Sequence, residues 1–201
     1  MLILRLGLCI INKTKKATRL LKKNLKDSVR VHPDRVVFFF DESRFGTHSN
    51  VGHGWFIKGL RNQVPVKLGF ENFYLYSAVA PKTGEDCTLL LPQVNTDCMN
   101  VFLEQLAQSF VDKDLLLVMD GAAWHRSRGL KIPARITLMY LPAYSPELNP
   151  VESLWRYLKD RLIVNRIHTS LDALEQAICT CINQMTQDLF RSICATDYLF
   201  C

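Results

Sequence analysis

No stretch of the sequence reaches the roughly 18 to 20 consecutive apolar residues that a membrane-spanning helix requires. The nearest approach, the opening MLILRLGLCII, is short, and its positive charges mostly follow it, the reverse of a secretory signal. It reads as a ragged start, as of a fragment. Internal repeats and low-complexity tracts are also lacking, which excludes solenoids, propellers and a mainly disordered chain. The seven cysteines are an odd number and contain no CxxC pair. That pattern excludes a disulfide framework and a zinc site, and it fits a reduced, cytosolic protein.

Excess positive charge is missing from most of the chain. Of the formal +6, residues 13–30 carry eight basic residues against the single acid Asp27, whereas the remainder holds 17 basic and 18 acidic residues. A polyanionic partner is therefore met mainly at that segment, through residues such as Lys22 and Lys23. From Ala17 onward Leu20, Leu21, Leu25 and Val29 keep helical spacing. Residues 1–33 are thus expected to form a basic segment with a linker helix, its lysines either touching DNA or merely solvated. Residues 34–201, in a chain that is 48% hydrophobic, are long enough for one domain with a sizeable core.

The segment VVFFFDES, residues 36–43, is a β-branched and aromatic run without polar alternation, the mark of a strand covered on both faces. GHGWFIKGLRNQVPV has the glycines of an exposed turn or hairpin. YLYSAVAP and DCTLLLP flank Lys82-Thr83-Gly84-Glu85 as a hairpin, so the first three strands are expected to be antiparallel neighbours. Met99, Phe102, Leu103, Leu106 and Phe110 predict a helix over about 97–111. DLLLVMDG and ITLMYLP predict two further strands. Two helices follow, over about 151–163 and 171–189, the second with Leu171, Leu174, Ile178, Cys181, Ile182, Met185 and Leu189 inward. This order predicts an α/β fold with a mixed five-stranded sheet flanked by helices.

Two of these strands end in an aspartate, Asp41 and Asp120. A carboxylate inside a buried strand is costly, whereas at the carboxyl end of a sheet it emerges where ligands bind. Either acid alone is more often a turn residue or a cap, and it is the repetition at two strand ends that points to a site. If the strands are neighbours, the carboxylates converge and call for a cation, and oxygen ligands favour Mg²⁺ or Mn²⁺. The third acid, Glu152, sits in LPAYSPELNPVESLW. With Asn149 as N-cap and Pro150 at the first helical position, Glu152 falls where a capping box places its acid. Capping alone does not account for the stiff proline-rich approach, nor for Arg156 and Lys159 along the same helix face. Trp155 falls on the inward stripe of that helix; Trp55, among glycines, suits either packing or stacking.

FFFDES, MDGAAWH and LPAYSPELNPVESLW together resemble, in order and spacing, the catalytic core of DDE transposases, above all the bacterial insertion sequence 630 family and its mariner relatives. The resemblance covers about residues 34–190, and 31 residues separate Asp120 from Glu152. It implies a ribonuclease H-like fold and a catalytic, metal-binding triad of Asp41, Asp120 and Glu152, holding two Mg²⁺ or Mn²⁺ ions. It also implies cleavage at transposon ends followed by strand transfer into target DNA, by a bacterial, cytoplasmic and nucleoid-associated protein. His125 and Asn149 match supporting positions; His125 either orients a phosphate or carboxylate or is purely structural. Arg126, Arg128, Arg156 and Lys159 are the expected phosphate contacts. Gly121-Ala122-Ala123 departs from the Asn-Ala-Pro of many relatives. The chain before Asp41 is too short for the family's helix-turn-helix modules, so a companion helix-turn-helix polypeptide is expected to read the ends, and synapsis of two ends implies a homodimer. The rival expectations are an inactive transposon remnant that only binds DNA through its basic segment, and a host nuclease that cuts without joining.

Overall fold

The computed structural model describes the backbone of residues 2–52, 57–59, 63, 66–143 and 145–196, with side chains from Lys16 onward except Ala17. Trp55, and most of the hairpin expected around it, lie outside the described residues.

A sheet of five strands has the order β3-β2-β1-β4-β5, with β1 Val36–Gly46, β2 Asn72–Val79, β3 Asp86–Leu91, β4 Leu115–Met119 and β5 Ile136–Tyr140. The first three are antiparallel neighbours, as the hairpin signal predicts; β1–β4 and β4–β5 are parallel. Strand β1 is therefore central, and the run Phe38–Phe40 is fully buried. Period-2 alternation sends its side chains to two separate cores. Phe38 and Phe40 join Tyr76, Leu115 and Leu117 beneath α2, Thr96–Ser109, whose Met99, Phe102, Leu103 and Leu106 face them. Phe39 and Phe45 join Leu75, Leu116 and Val118 on the opposite face, covered by α3, Val151–Leu162. Val151, Leu154, Trp155 and Leu158 form the buried stripe of α3, the spacing expected of a helix on a sheet.

Two expectations change. The helix expected over 171–189 is two, α4 Leu171–Asn183 and α5 Gln187–Ile193. The apolar periodicity runs through the junction, but Thr186 Oγ1 accepts from Leu189 N at 3.3 Å and starts a new helix, turning Phe190 rather than Leu189 into the core. The amino-terminal helix is also longer than its periodicity indicates: α1 spans Leu2–Val31 and includes the apolar opening. Within it Leu21 and Leu25 are buried in the α3-side core, whereas Leu20 is 59% exposed.

Because Leu25 is fully buried, Leu25→Ala is expected to destabilise the whole domain by about 2 to 5 kcal/mol, read as a lower urea midpoint at unchanged slope. A variant within about 0.5 kcal/mol of the parent means that α1 does not share this core.

Candidate active site

The β1–β4 ladder stops at the pair Phe39–Val118. Beyond it β1 continues with Asp41 and Glu42, still paired with Ser77 and Tyr76 of β2 on its other edge, while β4 ends and Asp120 follows. The chain thus opens a cleft at the carboxyl ends of its two central parallel strands, where open α/β sheets bind ligands. Asn149 closes the gap from the other side. Its Nδ2 donates to the Phe40 carbonyl at 2.9 Å and its Oδ1 accepts from Val151 N at 3.2 Å, so the start of α3 is tied to β1. The three acids Asp41, Asp120 and Glu152 line this one cleft of about 460 Å³, with Arg126, Ser145 and Asn149.

The acids are held differently. Asp41 Oδ2 accepts from Trp155 Nε1 at 2.8 Å. Burial raises the Asp41 carboxyl to about 7; the indole opposes this rise, and the negative charges of Glu152 and Glu42 add to it. Asp120 is exposed; its Oδ1 lies 2.8 Å from His125 Nδ1 and accepts from Ala122 N at 3.1 Å. The His125 hydrogen bond holds its carboxyl below the ordinary value. Ala122, within the departing Gly121-Ala122-Ala123, supports Asp120 through its backbone N–H, a contact that no particular side chain is needed to supply.

The expected capping box does not form. Asn149 N, which Glu152 would have satisfied, donates to Pro146 O at 2.9 Å in the 3-10 turn Pro146–Leu148. Helix α3 then begins at Val151 and places Glu152 one position earlier than a capping box needs. Among the described residues the Glu152 carboxylate has no hydrogen-bond or ion-pair partner and is exposed in the cleft.

His125 is 1% exposed, with Nδ1 on Asp120 and Nε2 on Glu42 Oε1 at 2.7 Å, which leaves no ring nitrogen for a phosphate. Burial alone would depress the ring, but its hydrogen bonds to the two carboxylates outweigh that and raise it to about 9. Of the basic residues, Arg126 lines the cleft, its guanidinium 4.8 Å from the centre of the Tyr140 ring. Lys159 donates to the buried Ser43 Oγ at 2.8 Å and lines a neighbouring cleft of about 330 Å³ with Arg44 and His48. Arg128, Arg156 and Lys23 are exposed outside the acidic cleft, and Lys22 is half-buried on α1. Two contributors were not legible as such. Trp155 is a core residue, 2% exposed, that also donates to Asp41. Glu42 is an acid inside a buried run, and that placement was the available signal.

The family model described as DDE superfamily endonuclease matches residues 36–175. An uncharacterized protein of Sinorhizobium fredii is 38% identical over 119 residues, covering 59% of this chain and 88% of its own length. The insertion element IS630 uncharacterized 39 kDa protein of Shigella sonnei is 27% identical, covering 74% of this chain and 44% of its own. The Tc3 transposase of Caenorhabditis elegans is 26% identical, covering 78% and 51%. The chain thus spans about half the length of these last two relatives. Among solved structures, the Mos1 transposase paired-end complex with the left transposon end superposes with a TM-score of 0.67 at 13% identity, covering 88% of this chain and 56% of that one. The catalytic domain of Mos1 gives 0.59 at 12%, covering 90% and 85%. The fold is ribonuclease H-like.

The raised Asp41 carboxyl has a sign that can be checked. The folded chain keeps the proton to about 7, against 3.8 for the unperturbed group. The stability this contributes is complete below the lower value and is lost as pH rises through the upper one. In chelator, Asp41→Asn is expected to gain on the parent as pH climbs from about 4 to about 8, by on the order of 4 kcal/mol at the top. Urea denaturation across that range measures it; a pH-independent difference contradicts the buried, protonated Asp41.

Proposed function

We propose that this chain, which belongs to the DDE superfamily endonuclease family, is the catalytic part of a transposase that cleaves DNA at transposon ends and joins the freed strand to target DNA. The observation that carries this reading is the meeting of Asp41, Asp120 and Glu152, from three separate elements, around one cleft where Glu152 has no structural task. Similarity to Tc3 transposase and to Mos1 complexes with transposon ends supports it.

Asp41, Asp120 and Glu152 would hold two divalent ions, Mg²⁺ or Mn²⁺; Mos1 paired-end complexes have been solved with each. The donor set fits, being hard carboxylate oxygen throughout. A buried carboxyl raised to about 7, beside a second acid without a partner among the described residues, is a place where positive charge is favourable. Among the described residues no three His, Cys, Asp or Glu side chains close around one point, so the three acids line one cleft without converging on a single position. Such ions, when bound, lower the pKa of water and neutralise charge developing in phosphoryl transfer. The chain's own groups hold and orient: Asn149 anchors α3 so that Glu152 stands opposite Asp41, and Arg126 offers an exposed guanidinium at the cleft to a phosphate.

Residues 13–30, Lys22 and Lys23 among them, supply sequence-independent attraction to the DNA backbone. In this reading they form the basic face of a helix whose Leu21 and Leu25 pack into the core of the catalytic domain that follows from residue 34. Base readout falls to a companion helix-turn-helix polypeptide, and a homodimer brings two ends together. Among the described residues no helix is long and apolar enough to cross a membrane. We place the protein in the bacterial cytoplasm, at the nucleoid.

With Mg²⁺ or Mn²⁺ the protein is expected to nick supercoiled plasmid and to join a pre-cut end to it, and Asp120→Asn to abolish both. Glu152→Gln is expected to stay within about 0.5 kcal/mol of the parent in stability, since the carboxylate has no partner to lose, while cleavage drops at least about 100-fold. Cleavage by Glu152→Gln at the parental rate removes Glu152 from the triad. Nicking without joining identifies a nuclease instead.

A further inference from the structure

The strand that delivers Asp41 to the cleft delivers a second acid to its opposite face. Glu42 has a side chain only 7% exposed, and its Oε1 accepts from His125 Nε2 at 2.7 Å and from Trp124 Nε1 at 3.1 Å. The His125 ring, 1% exposed, reaches from there to Asp120: Nδ1 is 2.8 Å from Oδ1 and 3.2 Å from the Asp120 backbone oxygen. We propose that Glu42 is a positioning residue, which acts through the His125 ring to hold the Asp120 carboxylate in the cleft. This rests on the reading that Asp120 is a cation ligand.

The geometry calls for such a device. Asp120 follows the last residue of β4, and its side chain is 57% exposed. A carboxylate so placed samples several rotamers unless it is tied, and besides the ring its one partner among the described residues is Ala122 N. The ring meets a carboxylate oxygen at each nitrogen, and the Glu42 contact fixes which edge faces Asp120. Phe40 and Trp124 meet the ring edge-on at 5.7 and 5.6 Å, and Tyr140 donates to the His125 carbonyl at 2.8 Å, so ring and backbone are both packed in place. Oδ1 is thereby occupied, whereas Oδ2 has no partner among the described residues and is left for a cation. A purely structural role explains this poorly. A buried ion pair is often no more stabilising than apolar residues of similar volume, and the surrounding positions Phe40, Tyr76 and Phe102 are aromatic already. Outer partners of this kind typically change metal affinity 10- to 100-fold.

The test is Mn²⁺ binding, followed by the paramagnetic resonance of the free ion, on Glu42→Leu, Glu42→Gln and Asp120→Asn, each shown folded by circular dichroism. Glu42→Leu removes the acceptor and is expected to weaken Mn²⁺ binding about 10- to 100-fold. Glu42→Gln keeps an acceptor oxygen and is expected to lose only several-fold. If Glu42→Leu does not fold, Glu42→Gln decides, a several-fold loss supporting the proposal and parental affinity overturning it. Parental affinity in both Glu42 variants, with binding lost in Asp120→Asn, overturns the positioning role and leaves the triad intact. Parental affinity in Asp120→Asn as well overturns the triad reading and this proposal together.

Discussion

The whole site depends on where a hydrogen-bond ladder stops. Strand β1 pairs with β4 only as far as Phe39, yet it continues alongside β2 for seven further residues to Gly46. Inside the ladder Phe38 and Phe39 face the two cores and Phe40, just past it, joins the first; beyond, the same alternation delivers Asp41 toward α3 and Glu42 toward the turn carrying His125. Had β4 run two residues longer, the Phe40 carbonyl would meet a strand instead of Asn149. The acids would then be buried between strands, where a carboxylate is expensive.

From that point the two faces of the sheet divide the work. On one, α3 packs its apolar stripe against β1 and uses the same contact to bring Trp155 onto Asp41 and Lys159 onto Ser43. Packing and site are here one interface, so the helix cannot shift without moving Glu152. On the other face, Glu42, Trp124 and His125 form a buried polar group that ends at Asp120. Burial raises the Asp41 carboxyl and the His125 hydrogen bond lowers that of Asp120, which separates the protonation behaviour of two carboxylates that share a cleft.

Asn149 is the joint between these halves. One amide donates to β1 while its oxygen accepts from the first residue of α3, so a short side chain sets the distance from sheet to helix. The prolines around it serve the same end: the 3-10 turn that Pro146 opens satisfies the Asn149 backbone N–H and thereby frees Glu152 from capping.

Much of this was legible in the residues. The uninterrupted apolar runs at 36–40 and 115–119 identified buried central strands, and the terminal aspartates of those strands followed from the cost of burying charge. Helical spacing placed Trp155 inward and Glu152 outward. What periodicity does not encode is a partner. Nothing in the order of residues says that Glu42 and His125, 83 positions apart, share a proton-bearing contact, or that the indole of Trp155 reaches Asp41. Nor does a continuous apolar stripe reveal that Thr186 interrupts it, because a cap competes through one hydrogen bond that the stripe does not register. Local pattern determines which face of each element is buried, since that is a property of neighbouring residues on one element. Which polar atoms meet is decided only when the sheet brings distant segments within 3 Å, because hydrogen bonds act over that distance and not along the chain.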